Sequence, residues 1–356
     1  MTFAAARRVL EKAVAERACP AASVEVGTAS QILWREAFGR LTFDVDAPRA
    51  VHDTIFDLAS LTKILSTTPL VMQQVERGKL GLDDPVSHHI TAWRGDDRAG
   101  VTLRDLLAHC SGLPGWRPFF REHTGRDAFE AAIGNEPLEY VPRTKSIYSD
   151  LGFMLLGFVL EDGATLGDRF TAMLAQMGVV EEIQFNPPAI WRARTAPTEN
   201  DPWRGRLLVG EVHDENAWAL GGVAGHAGLF GTAAAVGSCA RHMMQILGGR
   251  AGVVTRSTLD TFIARRTDIP GSSRALGWDT MVPTSSCGTR LSPRAFGHTG
   301  FTGTSLWIDP ELDVYVALLT NRVHPTRANE AINLVRPALH DAVIAELRGD
   351  GFITEG

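Results

Sequence analysis

The β-rich runs of this chain lie near its two ends, and that placement restricts its fold more than any other feature. "AASVEVGTAS" and "QILWREAFGR", residues 21–40, read as a hairpin joined at Gly27-Thr28-Ala29-Ser30. Far along the chain, "GTSLWIDPELDVYVALLTNR" (303–322) holds two more strands around the turn Asp309-Pro310-Glu311-Leu312. "RANEAINLVRPALHDAVIAELRG" (327–349) reads as a final helix that Pro337 should bend or interrupt. The stretch between is mostly helical or irregular. The expectation is an α/β layer assembled from residues 1–65 and 255–356, with 66–254 inserted as a mainly helical part.

The middle has its own landmarks. "TLRDLLAHCSGLPGW" is a short helix ending in a glycine-proline loop, and "YSDLGFMLLGFVLEDG" starts as a loop and turns helical from about Leu151. "GGVAGHAGLFGTAAAVGSCARHMMQIL" is a glycine-rich loop leading into another helix.

Composition removes several function classes. A net charge of −6, with no run of five like charges, argues against a nucleic-acid surface. No apolar stretch approaches the ~20 residues of a membrane span. In "MTFAAARRVLEKAVAERACP" the charges of Arg7, Arg8, Glu11 and Lys12 occupy the place of an export signal's apolar centre, so it reads as an amphipathic helix and the expected location is cytoplasmic. Cys19, Cys110, Cys239 and Cys287 are scattered without a CxxC pair and read as free thiols.

Ser60-Leu61-Thr62-Lys63 is where chemistry first shows. On a helix, residues three apart lie about 60° from each other, so Ser60 and Lys63 can meet. A serine hydroxyl is a poor nucleophile until a neighbour takes its proton, and a lysine can do so when its pKa is lowered. The helix start also favours developing negative charge at Ser60. Alone, the pattern is more often a plain helix start, because it recurs by chance.

Two further runs carry the argument. Tyr148-Ser149-Asp150 precedes a helix, and His298-Thr299-Gly300 opens "HTGFTGTSLWIDP". In this order the three runs resemble the motifs of the class C β-lactamase and penicillin-recognising serine hydrolase family, whose pattern is SxxK, then Tyr-x-Asn, then Lys-Thr-Gly or His-Thr-Gly. The resemblance runs from "FDLASLTK" through "LLAHCSGLP" to the last helix. It implies an antiparallel sheet flanked by helices, with an acyl-enzyme formed at Ser60 and no metal or cofactor. It also implies that Lys63 and Tyr148 share general-base work. The backbone N–H groups of Ser60 and Phe301 would form the oxyanion hole, and Asp150, His298, Thr299 and Gly300 would contact substrate.

The chain departs from that pattern twice. Asp150 stands where an asparagine is usual and, ionised, only accepts hydrogen bonds. It can pair with Lys63 and keep it protonated, leaving Tyr148 as the main base. His298 replaces a permanent cation with a side chain that is mostly neutral at pH 7. These departures favour small esters or amides, including D-amino-acid amides, over β-lactams, with aryl esters expected at least about a hundredfold faster than penicillins. The alternatives are a D-alanyl-D-alanine carboxypeptidase, a β-lactamase, an acyltransferase or an inactive penicillin-binding-like sensor. The implied partner is a small molecule, with no nucleic acid or membrane.

Other residues carry weaker signals. His109 beside Cys110 reads as a helix end packed beneath the site. His213, Asp214 and His226 are open to structural hydrogen bonding, to a place in the pocket wall, or to metal ligation, which needs three or four converging ligands. Trp116, after a glycine-proline turn, is a candidate for the pocket rim, as is His226 for its wall. There is no Gly-x-Ser-x-Gly elbow of the α/β-hydrolase kind.

Overall fold

Residues from both ends of the chain meet in one antiparallel sheet. The computed structural model describes residues 2–353. In chain order the elements begin with α1 (Ala4–Ala15), β1 (Ala21–Gly27), β2 (Ile32–Gly39), β3 (Phe56–Asp57), α2 (Thr68–Glu76), α3 (Leu103–Leu107) and α4 (Arg126–Asn135). Next come α5 (Asp150–Leu160), α6 (Leu166–Met177), β4 (Ile183–Phe185), β5 (Asn200–Asp201), β6 (Arg206–Leu207), α7 (Glu215–Ala219) and β7 (Leu229–Gly231). Last are α8 (Ala233–Leu247), α9 (Arg256–Ile263), β8 (Asp279–Thr280), β9 (Phe296–Thr299), β10 (Ser305–Asp309), β11 (Val314–Thr320) and α10 (Ile332–Gly349).

The large sheet runs β2-β1-β11-β10-β9-β8. Val24 of β1 lies opposite Leu318 on one side and Glu36 on the other. Side chains alternate between two cores, as the pleat requires. Val24, Val26, Val316 and Leu318 pack with Leu10 of α1 and Leu339 and Val343 of α10. Tyr315, Ala317 and Leu319 face the other way, into the core that holds Val236 and Met243 of α8. Both faces of β11 are covered, which explains the nearly unbroken apolar run "VYVALLT". Each buried aliphatic side chain contributes roughly 1.5–3 kcal/mol.

Helix α8, drawn from the stretch read as an insertion, supplies part of the sheet's cover. Its Arg241 reaches the fully buried Glu25 of β1 at 2.7 Å, and Glu25 also binds Arg35 at 2.6 Å and the Tyr315 hydroxyl at 2.6 Å. A second, smaller sheet, β3-β7-β4, forms from two- and three-residue strands that the sequence reading passed over.

The expected interruption at Pro337 does not occur. Helix α10 runs unbroken from Ile332 to Gly349. The proline sits in its second turn, so the one backbone bond it cancels is to the carbonyl of Asn333, an exposed residue.

Candidate active site

Ser60 sits directly before the helix that begins at Leu61, after a tight turn in which Ala59 takes a left-handed conformation (φ 47°). That conformation strains a residue with a Cβ. The turn is held by Asp57, whose carboxylate accepts from the Ala59 N–H at 2.8 Å and the His213 N–H at 2.7 Å. The next residues are not a regular α-helix. Lys63–Thr67 form a π turn before α2, a device frequent at functional sites.

Within this turn Lys63 Nζ donates to Ser60 Oγ at 3.0 Å, to Asp150 Oδ1 at 2.7 Å and to the His226 carbonyl at 3.1 Å. Its side chain is fully buried and all three donors are used. Burial alone would push the ammonium down, but Asp150 and Tyr148 outweigh it and hold Lys63 above its ordinary range. The lysine is therefore a cation at neutral pH.

Tyr148 approaches from the other side, its hydroxyl 2.9 Å from Ser60 Oγ. Helix α5 places both Tyr148 and Asp150. Its cap residue Ser149 accepts from the Gly152 N–H at 3.4 Å and donates to the Pro114 carbonyl at 2.7 Å. Burial raises the phenol's pKa, Lys63 opposes this and Asp150 adds to it, with a net upward shift. His109 lies beneath, its ring centroid 4.7 Å from that of Tyr148, and its Nδ1 accepts from the Ser149 N–H at 3.0 Å. Cys110 turns away, its thiol next to Asp105. Burial pushes that thiol up to about 12.

The third run enters on β9. His298 lies opposite Leu306, and Thr299 opposite Ser305. Gly300 lets this strand end close against the Ser60 turn, since a Cβ there would meet Leu58 O and the Ala59 methyl. Thr302 and Thr304 donate to Asp57 O at 2.7 Å and Leu58 O at 3.0 Å, locking the two segments together. Neither the Ser60 N–H nor the Phe301 N–H has an acceptor among the described residues, so both can receive a ligand oxygen. His298 donates from Nδ1 to the Thr299 carbonyl at 2.7 Å. It is held neutral, first by burial and then by Arg274 and Lys63.

These groups line one cleft of about 620 Å³, together with Trp116, His213, Asp214 and Phe301. That volume suits a small molecule. Trp116 and Phe301 stand half exposed at its edge. His226 is buried and serves the site through its carbonyl, while its Nε2 binds Asp214 at 2.8 Å. His213 instead binds Glu199 at 2.9 Å and stacks on Phe301 at 5.6 Å. The His213–Asp214–His226 run therefore splits into two separate carboxylate–histidine pairs.

The cleft holds cations at positions other than His298: Arg274, Arg322, Arg327 and Arg336 all line it. Arg327 is neutralised by Glu199 at 2.6 Å and Glu215 at 2.7 Å. Arg322 and Arg336 are buried with backbone carbonyls as their only hydrogen-bond partners among the described residues. Burial depresses both, Arg336 to about 10. No motif in the sequence pointed to them.

Comparison with known proteins places the chain by family and fold. Residues 6–339 match the family model described as Beta-lactamase. Proteins of Salmonella gallinarum and Salmonella typhi, provisionally named D-alanyl-D-alanine carboxypeptidase, are 32% identical over 320 residues, covering 80% of this chain and 73% of theirs. Among solved structures, a penicillin-binding protein homologue from Caulobacter crescentus superimposes with a TM-score of 0.76 at 22% identity, covering 97% of each chain. A class C β-lactamase from Rhodobacter sphaeroides gives 0.74 at 21%, covering 96% of this chain and 99% of its own. EstCE1, a hydrolase with promiscuous acyltransferase activity, gives 0.75 at 21%, covering 95% and 97%.

Proposed function

The chain belongs to the beta-lactamase family of serine hydrolases, and from that premise we propose that it cleaves small esters or amides through an acyl-enzyme on Ser60. One observation carries the reading. Ser60 Oγ lies within hydrogen-bonding distance of both Lys63 Nζ (3.0 Å) and Tyr148 Oη (2.9 Å) at the floor of a substrate-sized cleft.

The chemistry follows from the charges. Asp150 binds Lys63 and holds it as a cation, so in this reading the first proton acceptor is Tyr148. Tyr148, once ionised, takes the Ser60 proton while Oγ bonds to the substrate's carbonyl carbon. The carbonyl electrons move onto oxygen, where the free N–H groups of Ser60 and Phe301 receive them. Collapse expels the alcohol or amine, which takes its proton from Tyr148. Water, deprotonated by the same phenolate, then adds to the acyl carbon, and the C–Oγ bond breaks as Tyr148 returns that proton to Ser60, releasing the acid. A cytoplasmic place of action belongs to this reading.

A second reading is favoured by Arg322 and Arg336. A buried guanidinium without a carboxylate partner is costly, and a substrate's terminal carboxylate would relieve it. That points to a D-alanyl-D-alanine carboxypeptidase, as the Salmonella relatives are provisionally named.

Intact-protein mass after incubation with aryl esters, D-alanyl-D-alanine peptides and β-lactams tests both readings. The expected result is an acyl adduct that forms on the wild type and not on Ser60→Ala. Release of D-alanine faster than ester cleavage would select the second reading. Ester or peptide hydrolysis by folded Ser60→Ala would overturn both.

A further inference from the structure

Tyr148 is ringed by charge, and one member of that ring has no role in the mechanism above. The Arg274 guanidinium carbon lies 5.3 Å from the centre of the phenol ring. Arg274 comes just ahead of β8 and lines the same cleft as Ser60. Its guanidinium makes no hydrogen bond to any described residue. The nearest acid oxygen, Asp279 Oδ2, is 4.0 Å away, and Asp279 Oδ1 is taken by Ser273 at 2.6 Å and the Thr280 N–H at 3.0 Å. A side chain with five donors, only 21% exposed, is thus left facing the cleft.

The other charges around the phenol oppose one another, Lys63 favouring the phenolate and Asp150 disfavouring it. Lys63 lies 4.9 Å from the ring centre, but Asp150 is bound to it at 2.7 Å. His109 and His298, with ring centroids 4.7 and 5.6 Å from the phenol, are both kept neutral, first by burial and next by Arg274. Arg274 is thus a second positive charge facing Tyr148 beside Lys63, with its own nearest acid oxygen 4.0 Å away. At this separation, in a partly buried site, a unit charge is worth on the order of one to two pH units.

We propose that Arg274 is a positioning residue that stabilises the phenolate form of Tyr148 during proton transfer from Ser60. It supplies, from a different segment, the positive charge that neutral His298 does not carry. The cation lies over the ring face, where its attraction grows when the ring becomes an anion. This inference rests on the reading of Tyr148 as the base.

The test uses a short, uncharged aryl acetate, so that Arg274 has no substrate charge to bind. With Arg274→Met the rising limb of kcat/KM against pH should move up by about one pH unit, and Arg274→Lys should restore most of that shift. A limb that stays in place overturns the proposal, whatever happens to the plateau. Should Arg274→Met fail to fold, Arg274→Gln serves in its place. A second readout needs no turnover: phenolate absorbance, taken as the difference between each variant with and without Tyr148→Phe, follows Tyr148 among only three tyrosines. It should titrate later without Arg274, and an unchanged titration overturns the inference. If Ser60→Ala remains active, the proposed function falls, while this titration still decides the role of Arg274.

Discussion

Asp150 Oδ1 accepts a hydrogen bond from Lys63 Nζ over 2.7 Å, shorter than the 3.0 Å between that nitrogen and Ser60 Oγ. The acid at the start of α5 thus holds the lysine of the serine turn as a cation. In the proposed reaction this divides the labour, with charge on the lysine and proton transfer on the phenol.

Replacing Asp150 by Asn should shift the rising limb of kcat/KM to lower pH by about one unit. Burial raises the Tyr148 phenol, and the Asp150 charge raises it further. The same carboxylate holds Lys63 up against burial. Neutralising it therefore makes either group lose its proton more readily. A pH series on a neutral ester reads the shift directly.

Lys63→Ala and Tyr148→Phe should each lower kcat/KM by roughly three or more decades, and the double variant should be no worse than the poorer single. Both groups bind the same oxygen, Ser60 Oγ, and residues acting as one unit are strongly non-additive. Kinetics of the three variants, each checked for folding by circular dichroism, decide this.

Stability should fall on mild acidification, and His340 should account for part of the fall. Its ring is fully buried in α10 with neither nitrogen partnered among the described residues, and burial followed by the nearby Arg336 charge lowers its pKa to about 3. The unfolded chain binds this proton near the ordinary pKa of ~6.5. The contribution is thus complete above that value and is lost as pH falls towards the folded pKa. Between pH 7 and 5 the loss is about 2 kcal/mol. Urea unfolding at the two pH values should show His340→Leu to be less acid-sensitive by that amount.

Much of this was readable in the chain because the signals are local. Ser60 and Lys63 are one turn apart. Tyr148 with Asp150, and His298 with Thr299 and Gly300, are short runs, and all of these line one cleft with Ser60 while Lys63 is buried beside it. The end-to-end sheet was legible because β11 is covered on both faces and so is apolar throughout. Arg274, Arg322 and Arg336 were not legible. What sets them apart is that no carboxylate among the described residues hydrogen-bonds to their guanidinium groups, a property of three-dimensional surroundings with no trace in spacing. β3, β7 and β4 were missed because two or three residues are too few to show a period. The π turn at Lys63–Thr67 has no sequence signature that distinguishes it from an α-helix.

The pairing of β1 with β11 also has a consequence in time. Ala22 lies opposite Thr320, and at a synthesis rate of roughly 5–20 residues per second the later strand leaves the ribosome roughly 15–60 s after the earlier one. Through that interval β1 has only β2 beside it and an open edge on its other side, the kind of surface that pairs with strangers. Ser60 is made early in the same interval, but Phe301 and its N–H arrive only with the late strands. In the proposed reaction a nascent chain would carry its serine without the second N–H that receives the carbonyl oxygen. Reactivity would then come only with completion of the sheet.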